Sequence, residues 1–567
     1  MELTLEQKRI IASEEDLVVN AVAGSGKTTT ILEYARRRLD KRILYLAFNK
    51  SVKQKAQQLF QQNHLGHVTV ETAHSLAYRY VVPGTPYHIR TSYRPSELVS
   101  VLSIPTDMPE LIHLKIAYHV WEYYLLFCNH TAANVVDIDY PAGIRDVAVR
   151  DFVNQHHERI IYYTSLLLTR MDQGVIDITH DFYLKKFQLM RPVLPFDVIL
   201  FDEGQDASPV MLDVFFNQPA RRIIIGDSYQ QIYGWRYAVN ALESAQFNPM
   251  MLSCSFRFGN DIARLARNVL SLKSLFMPAP KLRITGVDQS RPIHSRAYIA
   301  RTNTGLLNKA IDLSIHNRDV KHLYFEGQLS SYVFSQAGTS LYDLLNLYNN
   351  RRALIRDPLI LSMPGFDALV EYANLTGDAS LKMLIELVIR YEDQLPDHIQ
   401  RLHDLCCAPE ERQKADVVFS TVHKSKGLEY DEVYLCNDFV NEQSLLDQIP
   451  ALRNGLIPAN ALSEEVNMLY VAVTRTRSRL HIPAELLPTG VVAGRSSGVT
   501  TNMVFRSQNN VKPVSSADVD GWSRTEDSEL LHLFVSGKPI RQIALLLNRN
   551  PIAIHTRIEK LRLWEKF

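Results

Sequence analysis

The stretch Ala21-Val-Ala-Gly-Ser-Gly-Lys27-Thr28 decides the fold of this chain. It follows the short apolar run Leu17-Val-Val19 and precedes a helix-like run over 29–39, so the local order is strand, glycine-rich loop and helix. The backbone N–H groups of such a loop bind a polyphosphate, and the start of the following helix favours negative charge. This arrangement predicts that Lys27 contacts the β- and γ-phosphates of a nucleoside triphosphate and that Thr28 holds Mg²⁺.

The loop departs from the strict phosphate-binding pattern at its first position, where Ala21 replaces glycine. A glycine-rich turn without a chemical role is therefore the competing interpretation, and the other motifs along the chain decide between the two. If the loop binds a nucleotide, the contacts come from Ala23, Gly24, Ser25, Gly26, Lys27, Thr28 and Thr29.

The length and composition indicate a globular protein with several structural units. A chain of 567 residues is too long for one hydrophobic core and predicts about three to five units. Hydrophobic residues make up 46% and charged residues 22%, which is ordinary for such proteins. Because the net charge is only +1, binding to nucleic acid would need a local groove rather than a general positive field.

The cysteines and the apolar runs exclude several classes of protein. The five cysteines are scattered without a C-x-x-C pair, so neither a zinc site nor a disulfide framework is indicated, and the content fits a reducing cytosol. No apolar run reaches about 18 residues, so we expect no membrane span and no membrane partner. The polar N-terminus is unlike a signal peptide. We expect a cytoplasmic protein, associated with the nucleoid if the source is bacterial.

Short β-rich runs alternate with helical runs in two separate parts of the chain. The first part contains apolar runs at 43–46, 197–201 and 222–225, and the second contains runs at 416–419 and 432–435. Such alternation is typical of α/β domains with a parallel sheet flanked by helices. We predict a first sheet domain over 1–85 and 191–250 with a helical insertion over 86–190, a second over 251–304 and 411–486 with an insertion over 305–410, a linker over 487–520 and a tri-helical module over 521–567.

Two adjacent carboxylates end the apolar run at 197–201. Asp202 would hold the metal ion, usually through its water molecules, and Glu203 would orient and deprotonate an attacking water. Acidic residues after a strand are often only a solvated turn, but the phosphate-binding loop upstream favours the metal site. Gln230, which follows the next strand, is a candidate sensor of the γ-phosphate.

Aromatic residues and a cation follow Gln230 closely. Tyr233, Trp235 and Arg236 suit a surface on which bases stack while a phosphate is bound beside them. Ordinary core packing of the Tyr and Trp side chains is the alternative interpretation of these three residues.

These motifs, taken in order, resemble the superfamily 1 DNA helicases of the UvrD/Rep/PcrA type. The resemblance covers residues 1–485 and rests on eight ordered motifs, and two of them, Ala47-Phe-Asn-Lys50 and Thr72-Ala-His-Ser-Leu76, look closest to the F-box DNA helicase branch. It implies two RecA-like P-loop domains. Phe256 stands where the family usually has Tyr, which keeps a stacking face, and Tyr237 stands where the family prefers Gly after Trp-Arg.

The resemblance also implies roles for individual residues around ATP. Gln7 would read the adenine and Phe256 would stack on it, while Glu429 would lie near the ribose. Arg257 and Arg475 would act as two arginine fingers on the γ-phosphate. The residues that the resemblance assigns to DNA are Phe48, Asn49, Lys50, Thr72, His74, Tyr233, Trp235, Arg236 and His423.

The implied activity is ATP- and Mg²⁺-dependent 3′-to-5′ movement along single-stranded DNA with unwinding of tailed duplexes. A translocase that strips bound proteins and a nucleotide-gated DNA-binding regulator stay open as alternatives, and an RNA helicase is a weaker one because nothing in the sequence reads a 2′-hydroxyl. We expect a monomer or a weak oligomer.

The C-terminal segment predicts three short helices that begin near Trp522. Ser523 and Glu526 fit a capping box, and the segment resembles Myb/SANT-like or helix-turn-helix modules. Arg557 and neighbouring basic residues of the third helix are consistent with entry into a DNA groove. A module that docks on protein is the alternative, so this segment predicts a second contact with either DNA or protein.

Overall fold

A computed structural model describes residues 2–108, 111–234, 237–278, 283–287, 292–317, 320–334, 339–489, 498–502 and 522–535, together with residues 543, 546, 547, 554, 557, 558 and 561. The described residues separate into two compact units. The first comprises Met1–Tyr332, Asn374–Gly377 and Leu402–Asn502 and contains both large sheets. The second comprises Val333–Ala373, Asp378–Arg401 and the described residues of the C-terminal segment.

The first sheet has six parallel strands in the order β3-β2-β4-β5-β1-β6. All five residues of β2 and of β4 are buried, as expected for central strands that are covered on both faces. Because the strands are parallel, the loops at their carboxyl ends meet along one edge of the sheet. The strands are β1 (Leu17–Ala21), β2 (Ile43–Ala47), β3 (Val68–Thr72), β4 (Val198–Asp202), β5 (Arg221–Gly226) and β6 (Asn248–Leu252).

The second sheet also has six parallel strands, in the order β10-β11-β9-β12-β13-β14. A short two-stranded sheet of β7 and β8 lies between the two large sheets in sequence. These strands are β7 (Cys254–Ser255), β8 (Thr285–Gly286), β9 (Arg296–Ala300), β10 (Leu323–Phe325), β11 (Val417–Thr421), β12 (Tyr430–Leu435), β13 (Thr476–Pro483) and β14 (Val499–Asn502).

Helices flank both sheets and form the inserted segments. Those up to the end of the first sheet are α1 (Leu5–Ala12), α2 (Lys27–Arg36), α3 (Lys50–Gln62), α4 (Ala73–Val81), α5 (Pro95–Leu102), α6 (Ile112–Asn129), α7 (Val147–Gln155), α8 (His157–Asp172), α9 (His180–Leu189), α10 (Pro209–Phe216) and α11 (Ala241–Ser244). The others are α12 (Asn260–Ser271), α13 (Asn303–His316), α14 (Leu341–Tyr348), α15 (Pro358–Ser362), α16 (Phe366–Thr376), α17 (Ala379–Tyr391), α18 (Leu395–Leu405), α19 (Val422–Ser425), α20 (Glu442–Arg453), α21 (Ala459–Val473) and α22 (Arg524–Val535).

The α/β fold class with two parallel sheets is as predicted, and each strand that was expected from an apolar run is present. Two strands lie outside the ranges that the sequence assigned to a sheet. β10 falls within the predicted insertion 305–410, and β14 falls within the predicted linker 487–520. Both are edge strands of three or four residues, which are too short to show a period in the sequence. The domain boundaries otherwise stay predictions.

The five cysteines are free thiols in the structure. Across the described ranges, no helix is both long enough and apolar enough to cross a bilayer.

Candidate nucleotide-binding cleft and nucleic-acid surface

The glycine-rich loop joins β1 to α2 at the carboxyl edge of the first sheet. Ala21 is still part of β1, where it pairs with Leu252, so the first position of the pattern has no need of glycine. Gly24 and Gly26 have φ angles of +75° and +80°, which glycine adopts without strain. Helix α2 begins directly at Lys27, so its free N–H groups face the loop.

Three residues from outside the loop lie against its two glycines. A Cβ on Gly24 would lie 2.5 Å from the Cβ of Arg257, and a Cβ on Gly26 would lie 2.9 Å from Nε2 of Gln7. The ring of Phe256 is 3.8 Å from the same position on Gly26. The structure therefore brings both predicted adenine contacts to one glycine of the phosphate-binding loop.

The remaining loop residues differ in exposure. Ala23 and Ser25 are buried, whereas Thr28 and Thr29 are exposed on the first turn of α2. Among the described residues, the buried hydroxyl of Ser25 has no hydrogen-bond partner. An unpaired buried donor beside backbone N–H groups fits the oxygen atoms of a bound phosphate.

The two predicted carboxylates lie at the end of β4, beside the loop. Nζ of Lys27 is 2.8 Å from Oε1 of Glu203. The hydroxyl of Tyr45, on the neighbouring strand β2, donates a hydrogen bond to Oδ2 of Asp202. Glu203 has a positive φ of 55°, a strained conformation for a residue with a side chain, and such strain is typical of functional sites.

The charge of Lys27 stabilises the ionised carboxylates, which repel each other. Although burial opposes it, the carboxylates of Glu203 and Asp202 raise the pKa of Lys27. Burial likewise opposes ionisation of Glu203, yet Lys27 and Lys426 lower its pKa to about 2. Burial and the adjacent Glu203 raise the pKa of Asp202. At neutral pH the lysine and Glu203 therefore form an ion pair, with Asp202 behind it.

A chain of hydrogen bonds links Glu203 to the second sheet. Nε2 of Gln205 donates to Glu203 at 2.6 Å, and the backbone N–H of Asp227 donates to the side-chain oxygen of Gln205 at 3.2 Å. The amide of Gln230 donates to Asp227 at 2.7 Å and accepts from the guanidinium of Arg475 at 3.2 Å. The candidate sensor Gln230 thus lies between the first-sheet carboxylates and an arginine that follows α21.

The two predicted arginine fingers have different surroundings. Arg475 is fully buried, and burial together with the nearby Arg257 lowers its pKa to about 9, so it stays charged at neutral pH. Nε of Arg257 is 2.7 Å from Glu429, and its Nη1 donates to the carbonyl of Thr474 at 3.0 Å. The carboxylate of Glu429 also accepts from Nε of Arg477 at 3.0 Å, so it lies between two arginines.

Two family models match the chain. The UvrD/REP helicase N-terminal domain matches residues 3–92, and the UvrD-like helicase C-terminal domain matches residues 376–485. Both matched segments are therefore similar to UvrD-like helicase domains.

Similar curated proteins support the same relationship. The chain is 29% identical over 515 residues to F-box DNA helicase 1 of Gallus gallus, a match that covers 85% of this chain and 49% of that protein. It is 28% identical over 524 residues to F-box DNA helicase protein 1 of Schizosaccharomyces pombe, covering 84% of this chain and 57% of that protein. The chain therefore spans about half the length of the curated relatives it matches. A shorter match, 24% identical over 231 residues, covers 34% of the chain and 19% of the exonuclease/helicase protein RexA of Streptococcus pneumoniae.

Three of the residues predicted to contact DNA, Phe48, Tyr233 and His423, lie side by side. The rings of Phe48 and Tyr233 are stacked, with centroids 5.7 Å apart and an interplanar angle of 23°. The ring of His423 lies 5.7 Å from that of Tyr233, and Nζ of Lys426 lies 5.1 Å from the same ring. Trp235 and Arg236 lie outside the described residues. Tyr237 has a positive φ of 61°, a conformation that glycine adopts without strain. This agrees with the glycine that the helicases which the sequence resembles prefer after Trp-Arg.

The other predicted DNA contacts cluster at the starts of two helices. Asn49 caps α3, since its side chain accepts from the N–H of Val52 at 2.9 Å, while Lys50 is exposed. Thr72 caps α4 and accepts from the N–H of Ser75 at 3.0 Å. Capping alone accounts for Asn and Thr at these positions, so their DNA contacts stay predictions.

His74 follows the cap of α4 and packs against α9. Its ring lies edge-on to His180 and Tyr183, with centroid distances of 6.4 Å and 6.2 Å. Burial lowers the pKa of His74, so the imidazole is neutral at neutral pH. A contact between His74 and DNA would therefore use a neutral ring rather than a cation.

Sequence reasoning missed three residues of this site. Tyr45 is the single aromatic residue in the apolar strand β2, which is a weak signal for its contact with Asp202. Gln205 lies two positions after Glu203, inside the acidic motif. Lys426 forms an ion pair with Asp206 that joins the two sheets, and nothing in the sequence indicates that these distant residues meet.

The C-terminal helix α22 begins at the predicted capping box. The N–H of Ser523 donates to Glu526 at 2.9 Å, and the N–H of Glu526 donates to the Ser523 hydroxyl at 3.2 Å. The rest of the predicted module lies mostly outside the described residues. Its described positions form a small core of Trp522, Leu530, Leu533, Ile543, Ile554 and Ile558.

Arg557 is turned into this module. Its guanidinium binds the carboxylate of Asp527 with two hydrogen bonds of 2.7 and 2.6 Å, and it lies over the ring of Trp522 at 5.7 Å. This bidentate pair ties Arg557 to helix α22, which carries Asp527. In this conformation Arg557 stabilises the module, and the prediction that it binds DNA gains no support.

Proposed function

We propose that this chain is an ATP-dependent DNA helicase that moves along single-stranded DNA in the 3′-to-5′ direction. The observation that carries the proposal is the continuous path from Lys27 through Gln230 to Arg475, because the segment that holds Gln230 also presents Tyr233 to the aromatic pair with Phe48. The names of the F-box DNA helicase relatives support DNA as the substrate. The polarity comes from the family resemblance.

The residues of the loop would bind the triphosphate of ATP. The N–H groups at the start of α2 and the Ser25 hydroxyl would bind phosphate oxygens, and Lys27 would neutralise the β- and γ-phosphates. Gln7 and Phe256, which meet at Gly26, would hold the adenine.

The residues present fit a magnesium ion. A carboxylate at Asp202 and a hydroxyl at Thr28 are oxygen ligands, which Mg²⁺ prefers, and it usually takes only one or two protein carboxylates beside phosphates and water. When bound, the ion would neutralise charge on the phosphates.

The ion pair between Lys27 and Glu203 links the pKa of Glu203, the proposed general base, to the binding of the substrate. A phosphate that binds Lys27 draws its positive charge away from Glu203, and the pKa of Glu203 then rises from about 2 toward its ordinary value. Glu203 becomes a better proton acceptor only when the substrate is in place. It would orient the attacking water and take its proton while Arg257 and Arg475 neutralise the charge that develops on the γ-phosphate.

Hydrolysis would change the attraction between the two sheets. Arg475 and Arg257 come from the second-sheet side and act on a nucleotide held by the first, so the cleft is most stable when closed on the γ-phosphate. Loss of that phosphate favours opening, which would move the aromatic pair along the strand. Each base stack contributes roughly 1–3 kcal/mol, which is weak enough to break in every cycle.

We predict that Tyr45→Phe raises the Mg²⁺ concentration needed for half-maximal nucleotide binding by about three- to tenfold. The substitution removes only the hydroxyl that orients Asp202 and keeps the ring that packs against Phe60. The measurement is a Mg²⁺ titration of fluorescent ATP-analogue binding. Tyr34→Phe, on α2 and away from Asp202, is the control and should titrate like wild type. An unchanged Mg²⁺ requirement in Tyr45→Phe would show that the hydroxyl does not orient the metal ligand.

The proposed function is tested by strand displacement on tailed duplexes. We expect ATP-dependent unwinding of a duplex with a 3′ single-stranded tail and little unwinding of the same duplex with a 5′ tail. Removal of a bound protein from the tail without unwinding would identify a stripping translocase instead. Unwinding from the 5′ tail alone would contradict the polarity.

A further inference from the structure

The segment 227–234 follows β5 of the first sheet, yet helix α21 of the second-sheet side binds its backbone. Nδ2 of Asn467 donates to the carbonyl of Gln231 at 2.9 Å. The N–H of Gly234 donates to Oε1 of Glu464 at 3.0 Å. Asn467 and Glu464 lie three positions apart on one face of α21, so a single rigid helix holds two points of the segment.

Two further side chains bind the same segment between and beside these points. Nζ of Lys426 donates to the carbonyl of Gln230 at 2.6 Å, and Nε2 of His423 donates to the carbonyl of Ile232 at 3.0 Å. Residues 230, 231, 232 and 234 are therefore each bound through their backbone by a side chain from the second-sheet side. These backbone contacts constrain the path of the segment.

The close approach of α21 also explains the glycine at 234. A Cβ on Gly234 would lie 2.5 Å from Oε2 of Glu464 and would displace the carboxylate from its hydrogen bond. Asn467 is buried, and its Oδ1 has no hydrogen-bond partner among the described residues. The side chain of Asn467 therefore contacts the segment through its amide nitrogen, which donates to the carbonyl of Gln231.

The segment carries a predicted ATP contact at one end and a predicted DNA contact at the other. Gln230 accepts from Arg475, and Tyr233 stacks on Phe48. We propose that Glu464 and Asn467 are positioning residues that fix the backbone of 230–234, so that Gln230 and Tyr233 are presented together. This inference rests on the proposed function. It assigns the two residues a role in the coupling of DNA binding to ATP hydrolysis, without contact with either ligand.

The test compares ATP hydrolysis with and without single-stranded DNA in Glu464→Ala and Asn467→Asp. Asn467→Asp keeps the size of the side chain but places an acceptor against the Gln231 carbonyl. We expect the DNA-free rate to stay within about twofold of wild type and the stimulation by DNA to fall about tenfold in both variants. Glu464→Gln should restore stimulation, because its amide oxygen accepts the same N–H of Gly234.

Glu465 provides a matched control on the same helix. Its carboxylate binds Arg301 at 2.7 and 3.0 Å rather than the segment, so Glu465→Ala removes a comparable interaction without touching residues 230–234. We expect wild-type stimulation in Glu465→Ala. Thermal unfolding of all four variants gives the effect of each substitution on the fold.

Three results would overturn the inference. Wild-type stimulation in folded Glu464→Ala and Asn467→Asp would show that the hydrogen bonds do not position the segment. An equal loss in Glu465→Ala, or no rescue by Glu464→Gln, would assign the effect to general weakening of α21. A wild-type protein that DNA does not stimulate would instead contradict the proposed function, and that result is seen before any variant is made.

Discussion

Replacing Lys27 with alanine is expected to lower the rate of ATP hydrolysis by about 10²- to 10³-fold. Lys27 is the cation at the start of α2, and its pKa is raised by the carboxylates of Glu203 and Asp202, so it is charged over the whole neutral range. It would neutralise charge on the β-phosphate of the leaving ADP and on the γ-phosphate that is transferred to water. Without it, Glu203 also loses its nearest cation, and its pKa rises before the substrate binds.

The measurement for Lys27→Ala is steady-state phosphate release at saturating single-stranded DNA. Lys41→Ala is the control, because Lys41 is half-exposed on the first-sheet side and forms an ion pair with the neighbouring carboxylate of Asp40. We expect Lys41→Ala to hydrolyse ATP like wild type. Hydrolysis at the wild-type rate by Lys27→Ala would refute the assignment of the phosphate-binding loop.

Replacing Arg475 with alanine is expected to reduce hydrolysis by a similar factor, about 10²- to 10³-fold, with little change in nucleotide affinity. Arg475 is fully buried and binds Gln230, the carbonyl of Val471 and the carbonyl of Leu428. It would contact the γ-phosphate only from the second-sheet side, so it would stabilise the transition state more than the bound substrate. Fluorescent-nucleotide binding and phosphate release, measured on the same protein, separate the two effects.

Arg475→Lys is expected to rescue little of this loss. A lysine has one compact charge and cannot reproduce the several directed hydrogen bonds of the guanidinium. Arg479→Ala, at an exposed position of β13, is the control and should retain activity. A loss of nucleotide binding equal to the loss of hydrolysis would show that Arg475 supports the fold of the cleft rather than the reaction.

The sequence predicted six strands from continuous apolar runs, but it indicated neither the edge strands β10 and β14 nor the interior strands β9 and β13. β2 and β4 are continuous apolar runs because both faces of each strand are covered, and this pattern is visible without a structure. β10 and β14 are short edge strands, and their pairing depends on neighbours that are distant in sequence. The local periodicity of a sequence does not indicate pairing between strands that are distant in the chain.

The candidate site likewise contains residues that the sequence indicated and residues that only the structure shows. Lys27, Asp202 and Glu203 lie in motifs whose spacing points to phosphate and metal chemistry, and the structure brings them together. Glu464 and Asn467 act on a segment more than 200 positions away, so only the folded chain shows their contacts. Residue type alone also left the surroundings of Arg557 unknown, since the structure pairs its charge with Asp527 inside the module, and its contact with DNA stays a prediction.

The central claim is that one cleft couples ATP to single-stranded DNA, and the most direct test is the steady-state rate of ATP hydrolysis with and without single-stranded DNA. We predict strong stimulation of the wild-type protein by DNA and no stimulation of Lys27→Ala. Slow hydrolysis that DNA does not change, in a wild-type protein that nevertheless binds DNA, would contradict this account and favour a nucleotide-gated DNA-binding regulator.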